Sequence, residues 1–134
     1  MTDKADLPYS IALSSYRLDL AGVLYSKDGA AARWAGRSSD NLSNAYADRH
    51  GANLLRFYGF PGHVQEFSRD ANNPEEGSFL YLDSINIRRG EITLAVATGL
   101  RQYINWNNVP GLASIMNNAN RVYNNIGAQV LITR

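Results

Sequence analysis

Cysteine is absent from this chain, which excludes disulfides, thiolate metal sites and a cysteine nucleophile. A surplus of either charge is absent too. The formal net charge of +1 offers no bulk attraction for polyanions and leaves only the option of a local basic face. Hydrophobic residues make up 45% of the chain, yet no apolar run reaches the roughly 18 residues of a membrane-spanning helix. Residues 1–6 are polar and mixed in charge, without a basic-then-apolar export signal. The expected location is cytoplasmic or within a virion, with no membrane partner. Histidine is scarce, only His50 and His63, and no spacing of His, Asp and Glu groups three ligands. No metal and no other cofactor is expected. Internal repeats, low-complexity tails and linkers are also missing, so residues 1–134 read as a single domain long enough to bury a core.

What is present is a mixture of short periodic segments. Residues 9–20 alternate as a strand, with a parity slip at Ser14–Ser15 that suggests a bulge. A turn at 21–22, a strand over 23–27, the hairpin pair Asp28–Gly29 and a strand over 30–34 follow. Residues 39–50 predict a short middle helix, capped by Ser39 and stopped by Gly51. Strands over 53–58 and 64–69 flank the turn Gly59–Phe60–Pro61–Gly62. Asn, Pro and Gly mark 70–77 as a loop. Strands over 79–88 and 91–98 read as a hairpin. Phe79 and Tyr81 share one parity while Leu80 and Leu82 share the other, so that end is covered on both faces or the strand bulges.

The C-terminal third closes with a longer pattern. Pro110 suits a first helical turn. Leu112, Ile115, Met116, Ala119, Tyr123 and Ile126 form an apolar stripe, which predicts an amphipathic helix ended by Gly127. Its other side carries Ser114, Asn117, Asn118, Arg121, Asn124 and Asn125. Asparagine is a poor helix former, because its amide competes for nearby backbone groups. Such a face suits a partner surface better than free solvent. Leu112, Ile115, Met116, Asn117, Asn118, Tyr123, Asn124 and Asn125 are therefore the expected interface. Residues 128–134 alternate as a last strand. The expected class is α+β: antiparallel β-meander and hairpins, a short middle helix and a C-terminal amphipathic helix.

Chemistry-bearing constellations are thin. His63 with Glu66 and Arg56 offers an acid–base pair and a cation of ribonuclease type. Arg17, Ser38 (or Ser39) and Glu91 resemble the Arg–Ser–Glu pattern of mono-ADP-ribosyltransferases. That resemblance implies a dinucleotide held by Arg17 and an oxocarbenium-like transition state supported by Glu91. The Ser-Thr-Ser run of that pattern is missing, and Arg89 stands where a second acid or amide would be. For nucleic acid, Arg56 and Tyr58 share a parity on one expected strand, as do Asn86 and Arg88 on another. A sheet face with those side chains can neutralise phosphates and stack unpaired bases.

The order of elements, with Glu91-Ile92-Thr93-Leu94-Ala95-Val96-Ala97-Thr98 as the last sheet strand before a helical tail, resembles the coat proteins of small single-stranded RNA bacteriophages. The resemblance covers the final third of the chain. It implies an antiparallel sheet, helical segments that interlock two subunits, and RNA held on the sheet. The middle helix and the terminal strand stand outside that pattern. The leading expectation is a non-enzymatic, self-assembling coat-type subunit whose partners are itself and RNA. The alternatives are a small enzyme of ADP-ribosyltransferase or ribonuclease type, and a small ligand-binding module.

Overall fold

The structure, a computed structural model, describes residues 26–69, 73–97 and 100–134. The strand expected over 9–20, the turn at 21–22 and Arg17 lie outside the described residues. The architecture is α+β.

The first described element is a helix, α1 (26–37), where the end of the strand over 23–27, a turn at Asp28–Gly29 and a strand over 30–34 were expected; residues 23–25 lie outside the described residues. Asp28, Ala31, Ala32 and Ala35 are all buried, and their i, i+3, i+4, i+7 spacing is that of one helical stripe. Alanine has the best helix propensity and the smallest side chain, so the stripe lies close against its neighbours.

The middle helix expected over 39–50 is displaced. Asn44–Ala47 is instead a strand, β1, and helix α2 spans Arg49–Phe57. Asp48 sets the start of α2, its Oδ1 accepting the Gly51 N–H at 2.7 Å. The strand expected over 53–58 is thus largely the end of α2. Strand β2 (His63–Glu66) runs parallel to β1. Strand β3 (Phe79–Leu82) pairs parallel on the other side of β1. It stops short of residue 88 because Asp83 caps helix α3 (Ser84–Arg89) in a reciprocal capping box with Asn86.

Strand β4 (Glu91–Ala97) is where the alternation put it, but its partner is β5 (Leu100–Asn105), not β3. A single 3-10 turn at Trp106–Asn108 leads to helix α4 (Leu112–Asn117). The long amphipathic helix ends there. The Asn118 amide donates back to the Ser114 carbonyl at 3.0 Å, and Asn120–Asn124 becomes strand β6. Strand β7 (Gln129–Ile132) lies within the expected terminal strand.

The main sheet has five strands in the order β2-β1-β3-β7-β6, and β4–β5 forms a separate two-stranded sheet. The β1 pairings are parallel and the β7 pairings antiparallel, so the sheet is mixed rather than an antiparallel meander. One face carries Ala31, Ala32, Ala35, Ala52 and Leu55 from α1 and α2, packed on Ala45, Ala47, Phe79, Tyr81 and Val130. The other face buries Leu80, Leu82 and Leu131 under Ile92 and Leu94 of β4 and Leu112 of α4. All four residues of β3 are therefore buried, as their double-sided apolar pattern implied.

Candidate functional site

Strands β1 and β3 are parallel neighbours, and the chain leaves β1 toward β2 before returning to β3. In open sheets with this change of direction, ligands bind beyond the carboxyl ends of the strands. Asp48 follows β1 and Asp83 follows β3, so both carboxylates stand at that point.

Three aspartates, Asp28, Asp48 and Asp83, meet there, each 0% exposed. Asp48 Oδ2 accepts the Thr93 N–H at 2.8 Å and the Asn86 side-chain amide at 2.9 Å. Asp83 Oδ1 accepts the Asn86 N–H at 3.0 Å, and Asn86 Oδ1 accepts the Asp83 N–H at 2.8 Å. The same Asn86 amide also reaches the Glu91 carbonyl at 2.8 Å. Asp28, from α1, accepts the Ser84 N–H on Oδ1 and the Ser84 hydroxyl on Oδ2, each at 2.8 Å. Tyr81 closes the set by donating its hydroxyl to the Asp28 carbonyl at 2.7 Å.

The electrostatics follow from burial. Desolvation, and after it the neighbouring Asp48 carboxylate, pushes the Asp83 carboxyl up to about 8. Burial also raises Asp28, against the Ser84 hydrogen bonds and the charge of His50, which pull it down. Asp83 Oδ2 and Thr93 Oγ1 are buried without a hydrogen-bond partner. A proton on Asp83 removes one of two adjacent buried charges and gives that orphan oxygen a hydrogen to donate. The cluster ties α1, α2, α3 and β4 to the ends of β1 and β3. Chemically it can hold a proton, and a substrate reaches it only if an element moves aside. Among the described residues, no group of three His, Cys, Asp or Glu side chains is arranged to hold a metal ion.

The residues expected to carry RNA do not share a sheet face. Arg56 lies in α2, donates to the Val64 carbonyl at 3.4 Å and stands 3.9 Å from Glu66. Tyr58 is the C-cap of α2. Asn86 is buried in the carboxyl cluster, and Arg88 is in the last turn of α3. The ribonuclease pairing is also changed, because Glu66 takes Arg49 at 2.8 Å while His63 lies exposed at the start of β2. In the transferase constellation, Ser38 follows α1 rather than opening a helix. It lies ten residues, about 15 Å of helix rise, beyond Asp28, whereas Glu91 sits at the Asp28 end beside Asn86. The fold thus holds Ser38 and Glu91 at opposite ends of the sheet.

The expected interface set is divided as well. Leu112 is core, and Ile115 and Met116 pack against it. Asn117 ends α4 and Asn118 caps it. Tyr123 and Asn124 belong to β6, with the Tyr123 ring stacked on Trp34 at 5.1 Å. Asn125 is a turn residue: its Oδ1 accepts the Gly127 and Ala128 N–H groups, and its amide reaches the Lys27 carbonyl at 2.8 Å.

The sequence reading missed Asp28, Asp48 and Asp83. For Asp48 and Asp83 the available signal was an Asp just before a helix, most plainly Asp83-Ser84-Ile85-Asn86, whose spacing is that of a capping box, while Asp28 heads the alanine stripe of α1. It also missed Ile126, the only non-glycine residue with positive φ (77°) among the described residues, which is 83% exposed. Among these residues, no helix is long and apolar enough to cross a membrane. Comparison with protein-family models, with curated proteins and with solved structures finds no match for the chain.

Proposed function

We propose that the protein is a self-associating structural subunit, and that two copies meet through the β6–β7 hairpin. Ile126 carries this reading. It occupies the first central position of the turn between β6 and β7, closed by the Asn125 N–H on the Ala128 carbonyl at 3.3 Å. Positive φ at that position normally selects glycine, and a β-branched residue is among the worst substitutes. The available glycine, Gly127, is used one position later, where a Cβ would lie 2.8 Å from Lys27 Cβ. The Ile126 side chain then points out of the fold at 83% exposure and offsets none of its backbone strain inside the chain. Val122 is a second exposed apolar side chain on the same hairpin, at 40%.

The hairpin also favours a closed contact over an open fibre. The pairing of β6 with β7 slips between Arg121 and Tyr123, and such a bulge with a nearby charge blunts edge-to-edge growth. The coat-type reading rests on the resemblance in the final third and belongs to the same proposal. Light scattering on the eluting protein tests it, with absorbance read at 260 and 280 nm. The expected result is a mass at a multiple of 14.8 kDa. Ile126→Gly should return it to one subunit while keeping or raising monomer stability. A wild-type monomer at every accessible concentration overturns the reading.

A further inference from the structure

We infer that the surface formed by Phe57, Tyr58, Arg33, Arg37 and Arg56 binds single-stranded nucleic acid through base stacking and phosphate contacts. It is separate from the β6–β7 hairpin and does not depend on self-association. Phe57 is the last residue of α2 and is 79% exposed. Its ring is held edge-on to Tyr58, with centroids 5.0 Å apart and an interplanar angle of 89°. Tyr58 is fixed in turn. Its hydroxyl lies against Gly29 of α1, where even a Cβ would come within 2.8 Å, and the Arg33 guanidinium covers its ring at 5.0 Å. The exposed Phe57 ring is therefore backed by a packed neighbour, which lowers the ordering cost when a flat partner stacks on it.

The charges around the rings point to the class of partner. Gly29, Arg33 and Arg37 follow one another at i, i+4 and i+8 along α1, so the two exposed arginines continue the stripe that meets Tyr58. Arg56 adds a third cation from α2. Its acidic neighbour Glu66 is 3.9 Å from Arg56 but only 2.8 Å from Arg49. The Asp40 carboxylate serves its own turn, accepting the Leu42 N–H at 2.9 Å and the Ser43 hydroxyl at 3.2 Å. A positive rim of arginines on α1 and α2, the two helices that fix this solvent-facing ring, matches a strand with unpaired bases, because every base has a face to stack and every linkage a phosphate. An acidic peptide would use the rim and leave the ring idle. A duplex keeps its bases stacked away from Phe57. The rim offers guanidinium groups and no carboxylate or side-chain amide among the five residues, so recognition is tolerant of sequence.

The test is fluorescence anisotropy with the full chain and a labelled 12-mer oligouridylate, across a salt series. Phe57→Ala should weaken binding about tenfold with an unchanged salt slope, and Phe57→Trp should keep it. Arg33→Ala and Arg37→Ala should each lower the slope of log K against log salt by about 0.7. The Phe57 ring is exposed, so its removal spares the core, and a circular dichroism spectrum checks this. Absence of binding at low salt, wild-type affinity in Phe57→Ala, equal affinity for a duplex, or equal competition by polyglutamate would each overturn the inference. None of these results bears on the oligomeric state, which light scattering reads separately.

Discussion

Asp83 shows how a single residue makes stability depend on pH. Its carboxyl is raised to about 8 by burial and by Asp48, while in the unfolded chain it titrates near the ordinary carboxylate value of 3.8. Between those values the folded state holds a proton that the unfolded state has released, so stability falls as pH rises. The contribution is complete below about pH 4 and is lost as pH passes through about 8. Asp28 is raised in the same direction and adds to the same slope. Urea midpoints measured from pH 5 to 9 should therefore decline. Asp83→Asn imitates the protonated acid and keeps the Oδ1 that caps α3, so its profile should be flatter and its midpoint higher than wild type at the alkaline end. A wild-type midpoint that rises with pH would refute this account. Tyr81→Phe removes the buried hydrogen bond from the Tyr81 hydroxyl to the Asp28 carbonyl. It should lose about 1 kcal/mol by urea unfolding.

At the scale of elements, the β4–β5 hairpin is held to the main sheet chiefly by the side chains of Ile92 and Leu94. The Thr93 N–H between them bonds Asp48, so one strand uses both its apolar parity and a backbone donor. Ile92→Ala should cost about 2–4 kcal/mol in denaturant unfolding, since Ile92 is fully buried. Asn86→Ala should cost at least as much although it removes no apolar group. It strips a donor from Asp48 and an acceptor from the Asp83 N–H in a buried site. If Asn86→Ala proved neutral, the carboxyl cluster would not be the tie that joins these elements. The Ile126→Gly variant belongs at this scale too. Relief of the left-handed strain should raise the monomer's stability by about 1 kcal/mol, against the extra chain entropy of glycine.

Across the whole molecule, β3 and β7 supply side chains to the cores on both faces of the sheet. The two faces should therefore unfold together. Far-ultraviolet circular dichroism and tryptophan fluorescence should give coincident transitions, since Trp34 packs on one core and Trp106 on the other. Separate transitions would mean that the hairpin layer melts on its own.

The α+β class, strand β4, strand β7, the irregular residues 73–77 and the double-sided burial of Phe79–Leu82 are all legible in the chain itself. Each rests on a local signal: alternation, an apolar run, or clustered Asn, Pro and Gly. What only the tertiary structure decided is pairing. Asn44-Ala45-Tyr46-Ala47 has the composition of a helix, yet it is a strand because β2 and β3 bond it from both sides, with partners 19 and 34 residues further along the sequence. The continuous stripe from Leu112 to Ile126 breaks into a helix and a strand because β7 offers β6 a ladder that asparagine-rich sequence cannot replace within a helix. The candidate sites divide in the same way. Asp48 and Asp83 meet only because β1 and β3 are neighbours, and Arg33 reaches Tyr58 only because α1 lies beside α2. Periodicity and capping are written within a few residues of sequence, whereas the choice of partner depends on which distant segments bury one another.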